Sequence, residues 1–161
     1  MKASEQQYAT IFTTDIATIG LQFDGSKLTK IDYFTEKSNK AATSKLAESV
    51  RDKIKKYLDP QLNIKSIKVD LLLNVTPFQE KVLQQLQDIP YGETKTYGEI
   101  AKKLNTSPRA VGNACRNNPV PIIIPCHRVV AANGIGGYDG ATKGTLLAIK
   151  YQLLKREGVL F

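Results

Sequence analysis

Residues 107–130 read SPRAVGNACRNNPVPIIIPCHRVV, and the two halves of this stretch differ in kind. In the first half, Ser107 stands at an N-cap position and Pro108 in the first turn, so RAVGNACRNN is expected to be a short helix. The second half, VPIIIPCHRVV over residues 120–130, is an apolar run flanked by prolines in which a thiol and an imidazole stand side by side. Titratable groups in such a run either have a satisfied place in a core or carry chemistry.

Working upstream, Thr96-Tyr97-Gly98-Glu99 forms a capping box that opens the helix YGEIAKKL, so two short helices joined around Asn105-Thr106-Ser107 should make a helix-turn-helix. Arg109, Asn113, Arg116 and Asn117 give the second helix its polar groups, while Ala110, Gly112 and Ala114 keep its surface low, which lets a helix approach nucleic acid closely. The plainer alternative is that Ala110 and Ala114 pack on the preceding helix; Lys102 and Lys103 on that helix favour DNA contact. Earlier still, Thr76-Pro77-Phe78-Gln79 is another capping box, and Phe78, Val82, Leu86 and Ile89 are expected to form the buried stripe of its helix.

Before Thr76 the pattern changes. YATIF, IGLQF and KIDYF read as antiparallel strands broken by the tight-turn dipeptide Asp24-Gly25. Residues 41–58 read as a helix, with Leu46, Val50, Ile54 and Leu58 recurring every four residues until Asp59-Pro60 ends the pattern. Residues 64–75, alternating and then continuously apolar, read as a further strand. The expectation is an α+β chain with a small α+β domain over residues 1–75 and a helical domain over residues 76–161.

The chain has 161 residues, and Lys and Arg outnumber Asp and Glu by 23 to 15, for a formal charge of +8 and a pI near 9.5. This balance favours polyanionic partners, although a solubilising surface would account for it equally well. No apolar run approaches the ~20 residues that cross a bilayer, and MKASEQQYAT lacks the apolar stretch of a signal peptide, so no membrane association and a cytoplasmic location are expected, nuclear if eukaryotic. Two cysteines and one histidine make no disulfide framework and no ordinary zinc site, so no metal is expected.

A buried Cys126 is inert unless something stabilises its thiolate. His127 is the only imidazole, but neighbouring side chains of an extended segment point apart, so proton transfer would run through a water. The plainer alternative makes Cys126 a small core residue and His127 a hydrogen-bonded one; Cys115, with no adjacent base, is read as packing.

PCHRV, preceded by RAVGNACRNNPVPIII and followed by GIGGYDG and a helix ending LLKREG, resembles the O6-alkylguanine-DNA alkyltransferases continuously over about residues 76–158. The N-terminal half agrees only in general pattern, being usually a small RNase H-like domain in that family, beside a winged-helix-like C-terminal domain. The resemblance implies direct-reversal DNA repair: irreversible, single-turnover transfer of the alkyl group from O6-alkylguanine to Cys126, with O4-alkylthymine a further candidate substrate. It makes His127 the proton acceptor through a water, Glu157 the group polarising the imidazole, and Asn118 the residue holding the active-site turn. Tyr97 would donate to the departing guanine and contact a phosphate. Arg109 would enter the stack as the lesion rotates out, with Ala110, Asn113 and Arg116 on the same DNA-binding helix. Pro121, Val129, Gly137, Tyr138 and Asp139 would shape the base pocket, Asp139 standing where several relatives carry a small hydroxyl residue. The partner implied is double-stranded DNA entered through the minor groove, bound by a monomer, and no cofactor is implied. Against this stand a cysteine hydrolase, disfavoured by the adjacency of Cys126 and His127, and a winged-helix regulator, which would leave PCHRV without a role. A non-catalytic protein that recognises alkylated bases is a third rival; such proteins replace the reactive Cys, commonly by Trp, whereas this chain keeps Cys126 and has no Trp.

Overall fold

The computed structural model describes residues 5–138 and 144–161. The chain divides into two compact units, Met1–Asn74 and Val75–Phe161.

In the first unit, β1 (Thr10–Thr13), β2 (Thr18–Asp24) and β3 (Lys27–Phe34) form an antiparallel sheet in that order. Asp24 pairs with Lys27, so Gly25 and Ser26 make the hairpin turn, and Gly25 takes the left-handed φ of 58° that such turns require. Helix α1 (Lys45–Leu58) begins four residues later than the pattern implied, because Ser44 caps it and accepts from the Ala47 N–H. The residues before it are held by backbone bonds instead: Lys40 bridges to Ile11, and Thr43 N–H donates to Ala9 O. Its buried residues are Ala47, Val50, Ile54, Tyr57 and Leu58. Leu46 is exposed, so the helix buries positions three and four apart and not a strict every-fourth stripe. Residues 64–75 do not form the expected strand. Only Leu71 bridges, in parallel, to Leu28 beside β3, and none of these residues is fully buried, so the alternation marks an edge segment with one point of pairing.

In the second unit, α2 (Pro77–Gln87) starts with the expected capping box between Thr76 and Gln79. Strand β4 (Lys95–Thr96) leads into α3 (Tyr97–Leu104), which carries the Thr96/Glu99 capping box. Asn105 in the left-handed region (φ 56°) ends α3 and turns the chain into α4 (Pro108–Arg116), capped by Ser107. A 3-10 turn, Cys126–Arg128, runs into β5 (Val129–Val130), which pairs in parallel with β4, and α5 (Thr145–Arg156) follows. Val82, Leu83 and Leu86 of α2 pack in a core that also takes Ile100, Val111, Ile124, Val129, Leu153 and Leu154. Phe78, expected in the stripe of α2, is 38% exposed, because it stands in the first turn where that face has already left the core.

Leu86→Ala, at a site with no exposure, should therefore cost about 2–5 kcal/mol, and Phe78→Ala far less. Urea unfolding of the two variants tests this burial pattern, which equal losses would contradict.

Candidate active site

After α4 the chain makes a tight turn closed by one side chain. Asn118 Oδ1 accepts from Val120 N–H at 3.0 Å, its Nδ2 donates to Ile124 O at 2.9 Å, and Ile124 N–H donates back to Val120 O at 3.0 Å. Inside the turn Ile122 has φ 75°, which costs a β-branched residue on the order of 1–3 kcal/mol and persists only where surrounding bonds over-determine it. The turn delivers the chain to the 3-10 segment Cys126–Arg128. With 3.0 residues per turn, successive side chains there point roughly 120° apart, so Cys126, His127 and Arg128 face three directions although adjacent, and all three are buried.

His127 has no exposed surface, and its Nε2 lies 2.6 Å from Glu157 Oε2. An ionised carboxylate only accepts, so Nε2 carries the proton toward Glu157, and Nδ1, which has no hydrogen-bond partner among the described residues, is left as the basic nitrogen. Burial pushes the imidazole below its ordinary range; the bond and charge of Glu157 oppose this, while Arg128 and Lys150 add to it. Glu157 is the C-cap of α5 and not part of its last turn, and its carboxylate also accepts from Arg128 Nε at 2.8 Å, Arg128 Nη2 at 3.1 Å and Gly92 N–H at 3.0 Å. Burial alone would raise this carboxyl, but the bond and charge of His127, the Arg128 fork and the Gly92 N–H hold it down at about 2.

Tyr97, the first residue of α3, donates to Gly137 O at 3.3 Å, and burial, with the charges of Cys115 and Cys126, pushes its hydroxyl well above the ordinary range. The same carbonyl accepts from Lys150 Nζ at 2.8 Å, which also donates to Val129 O at 2.7 Å. Gly136 must be glycine: its φ is +75°, and a Cβ would stand 3.0 Å from the Tyr97 ring. Cys115 is buried and its thiol pushed up by burial, with Cys126 adding and Lys150 opposing, so the two thiols, Tyr97 and Lys150 form one electrostatic cluster. Tyr138 and Pro121 are buried; Asp139 lies outside the described residues.

The helix expected to face DNA turns Val111, Ala114 and Cys115 inward and leaves Arg109, Asn113, Arg116 and Asn117 exposed, with Ala110 between. Ala110 and Asn113 line an open groove of about 490 Å³ together with Phe78 and Gln79 of α2; Cys126 does not line it.

Sequence reasoning missed two residues of the site, Arg128 and Lys150. Both were legible as charges on apolar faces: Arg128 continues the run that ends in Val129-Val130, and Lys150 falls in the stripe of Ile149, Leu153 and Leu154 along α5.

A buried thiol, imidazole and carboxylate beside a helix-turn-helix define the site. Residues 77–159 match the family described as the 6-O-methylguanine DNA methyltransferase, DNA binding domain. A methylated-DNA--protein-cysteine methyltransferase of Methanocaldococcus vulcanius is 55% identical over 89 residues, and the match covers 55% of this chain and 55% of that relative, about half its length. Over nearly the full chain, the O6-methylguanine DNA methyltransferase structure from Methanococcus jannaschii is 37% identical with a TM-score of 0.69, covering 94% of each chain. The Mycobacterium tuberculosis OGT in complex with DNA is 33% identical with a TM-score of 0.74, covering 91% of this chain and 90% of that one. The chain belongs to the O6-methylguanine DNA methyltransferase family.

Because Glu157 titrates at about 2 when folded and near 4.3 when unfolded, the stability it contributes is fully present above about pH 4.3 and is lost as pH falls to about 2. Glu157→Gln should flatten that part of the stability curve and, by leaving Arg128 buried and uncompensated, cost about 3–5 kcal/mol at neutral pH. Urea midpoints from acid to neutral pH read both effects, and an unchanged acid slope in the variant contradicts the pairing.

Proposed function

We propose that this chain is a DNA-repair protein that transfers the alkyl group of O6-alkylguanine irreversibly to Cys126. The observation that carries the reading is the buried His127, hydrogen-bonded at Nε2 to Glu157 and bare at Nδ1, next in sequence to a buried thiol. A water between Nδ1 and the Cys126 sulfur takes the thiol proton to the imidazole. The thiolate attacks the alkyl carbon; the S–C bond forms, the C–O6 bond breaks, and the electron pair leaves with guanine. Tyr97 gives the departing base a proton, its bond to Gly137 O exchanging for one to the base, and the imidazolium proton restores the phenol through solvent. In sum, the hydrogen of the thiol moves to guanine and the alkyl group to sulfur. A thioether is not hydrolysed, so each molecule acts once.

Access to the base requires extrusion from the stack. The exposed face of α4 meets the minor groove, with Arg109 filling the vacated space and Ala110, Asn113 and Arg116 against the backbone, while Phe78 and Gln79 border the same groove. The strained turn held by Asn118, together with Pro121, Val129, Gly137 and Tyr138, shapes the pocket. The protein acts as a monomer in the compartment that holds the DNA, the cytoplasm, or the nucleus in a eukaryote. O4-alkylthymine, with its alkyl group likewise on an exocyclic oxygen, is the next substrate to test.

Intact-protein mass spectrometry with peptide mapping, after incubation with duplex DNA containing O6-methylguanine, should show one methyl group on Cys126 and guanine restored. Cys126→Ala should bind the duplex and accept no methyl. An unmodified wild type that still binds the lesion would mean recognition without transfer. Arg109→Ala should keep a thiol that reacts with a small alkylating agent yet repair duplex at least about tenfold more slowly; repair at the wild-type rate would remove Arg109 from the extrusion step.

A further inference from the structure

Arg128 is a buried cation that the relay from Cys126 to His127 does not itself use. Its guanidinium is fixed on several sides: Nε and Nη2 grip the two oxygens of Glu157, Nη1 donates to Ile89 O at 2.7 Å, and its central carbon lies 5.8 Å from the centre of the Tyr91 ring. Tyr91 is itself anchored, its hydroxyl donating to Arg156 O at 2.9 Å.

The consequence concerns charge at His127. A buried carboxylate facing only an imidazole is best satisfied by an imidazolium, and an imidazolium has no lone pair to take a thiol proton. With Arg128 already compensating Glu157, a neutral imidazole completes the site by donating from Nε2. We infer that Arg128 is a positioning residue: its two-pronged bond to Glu157 keeps His127 neutral with the proton on Nε2, so that Nδ1 stands ready as a base before any substrate arrives. The use of that base rests on the reading under Proposed function; the protonation state does not. Glu157 and Arg128 cancel at rest, and after proton transfer the imidazolium and the Cys126 thiolate cancel as well. The charged groups acting on His127 are Glu157 and Lys150 from the end and middle of α5 and Arg128 from its own turn, with Tyr91 facing Glu157 and Arg128. Of these groups Glu157 favours the imidazolium, while Arg128 and Lys150, together with burial, oppose it.

His127 is the single histidine of the chain, so its ring nitrogens give unambiguous 15N resonances. In the free wild-type protein at neutral pH, Nε2 should be protonated and Nδ1 bare. Arg128→Gln keeps hydrogen-bonding groups and deletes the charge, and should raise the His127 titration midpoint by about one pH unit, a tenfold gain in proton affinity. Arg128→Lys keeps the charge and should keep His127 neutral. A wild-type imidazolium, a proton on Nδ1 instead, a folded Gln variant with an unmoved midpoint, or a Lys variant holding an imidazolium at neutral pH would each overturn the inference. The wild-type spectrum and the Lys variant decide the matter where the Gln variant does not fold. Loss of methyl transfer with the stated tautomer intact would instead count against the alkyl-transfer reading alone.

Discussion

One carboxylate holds the C-terminal unit's chemistry in place. Glu157 sits where a helix would rather have a cation, at the C-terminal end of α5, and it is buried there. Hydrogen bonds from two separate segments offset that cost: those of the imidazole and the guanidinium of the 3-10 turn, and that of the Gly92 N–H ahead of β4. Elements far apart in the chain are thereby fastened at one point, and the fastening also sets the orientation of the imidazole. Because Arg128 balances the charge of the carboxylate, breaking that pair leaves a buried charge in a low dielectric, which is the costly event in such a site.

The second buried cation works differently. Lys150 has no exposed surface, and the partners of its ammonium are the carbonyls of Val129 and Gly137, with the face of the Tyr97 ring 5.8 Å away. Dipoles solvate a cation less well than a carboxylate does, and burial brings Lys150 down to about 8, with only the two thiols pulling the other way. Arg128, by contrast, meets a full negative charge in a fixed, two-pronged geometry. Lys150 thus ties β5 to the glycine loop and places positive charge near Cys126, while Arg128 balances Glu157. The two roles are separated by what each cation is bonded to.

On the opposite side of the same segment, α4 is divided cleanly between core and surface. Small residues and Val111 let it lie against the other helices, and polar side chains of modest length cover the outer face. The connection from that face to the thiol is short in sequence but conformationally expensive: a turn with Ile122 at positive φ, closed by Asn118. Strain held in a turn by buried hydrogen bonds gives a rigid link between the exposed face of α4 and the buried Cys126 thiol.

Much of this was legible in the chain itself, because local rules sufficed. The capping boxes at Thr76 and Thr96 and the Ser107 cap set where three helices begin, and the run around Cys126 marked where a thiol and an imidazole are buried side by side. Local pattern misled where pairing or depth decided: residues 64–75 alternate like a strand yet find a partner only at Leu71, Leu46 and Phe78 keep a helical spacing yet face outward, and α1 waits for Ser44. Sequence determined where the helices of the C-terminal unit begin and which run holds the thiol and the imidazole. Only the tertiary structure decided that Arg128 and Glu157, 29 residues apart, share one buried ion pair, and that Lys150 turns inward to two carbonyls. Compensation of a buried charge depends on which groups meet in space, and no periodicity along the chain encodes that distance.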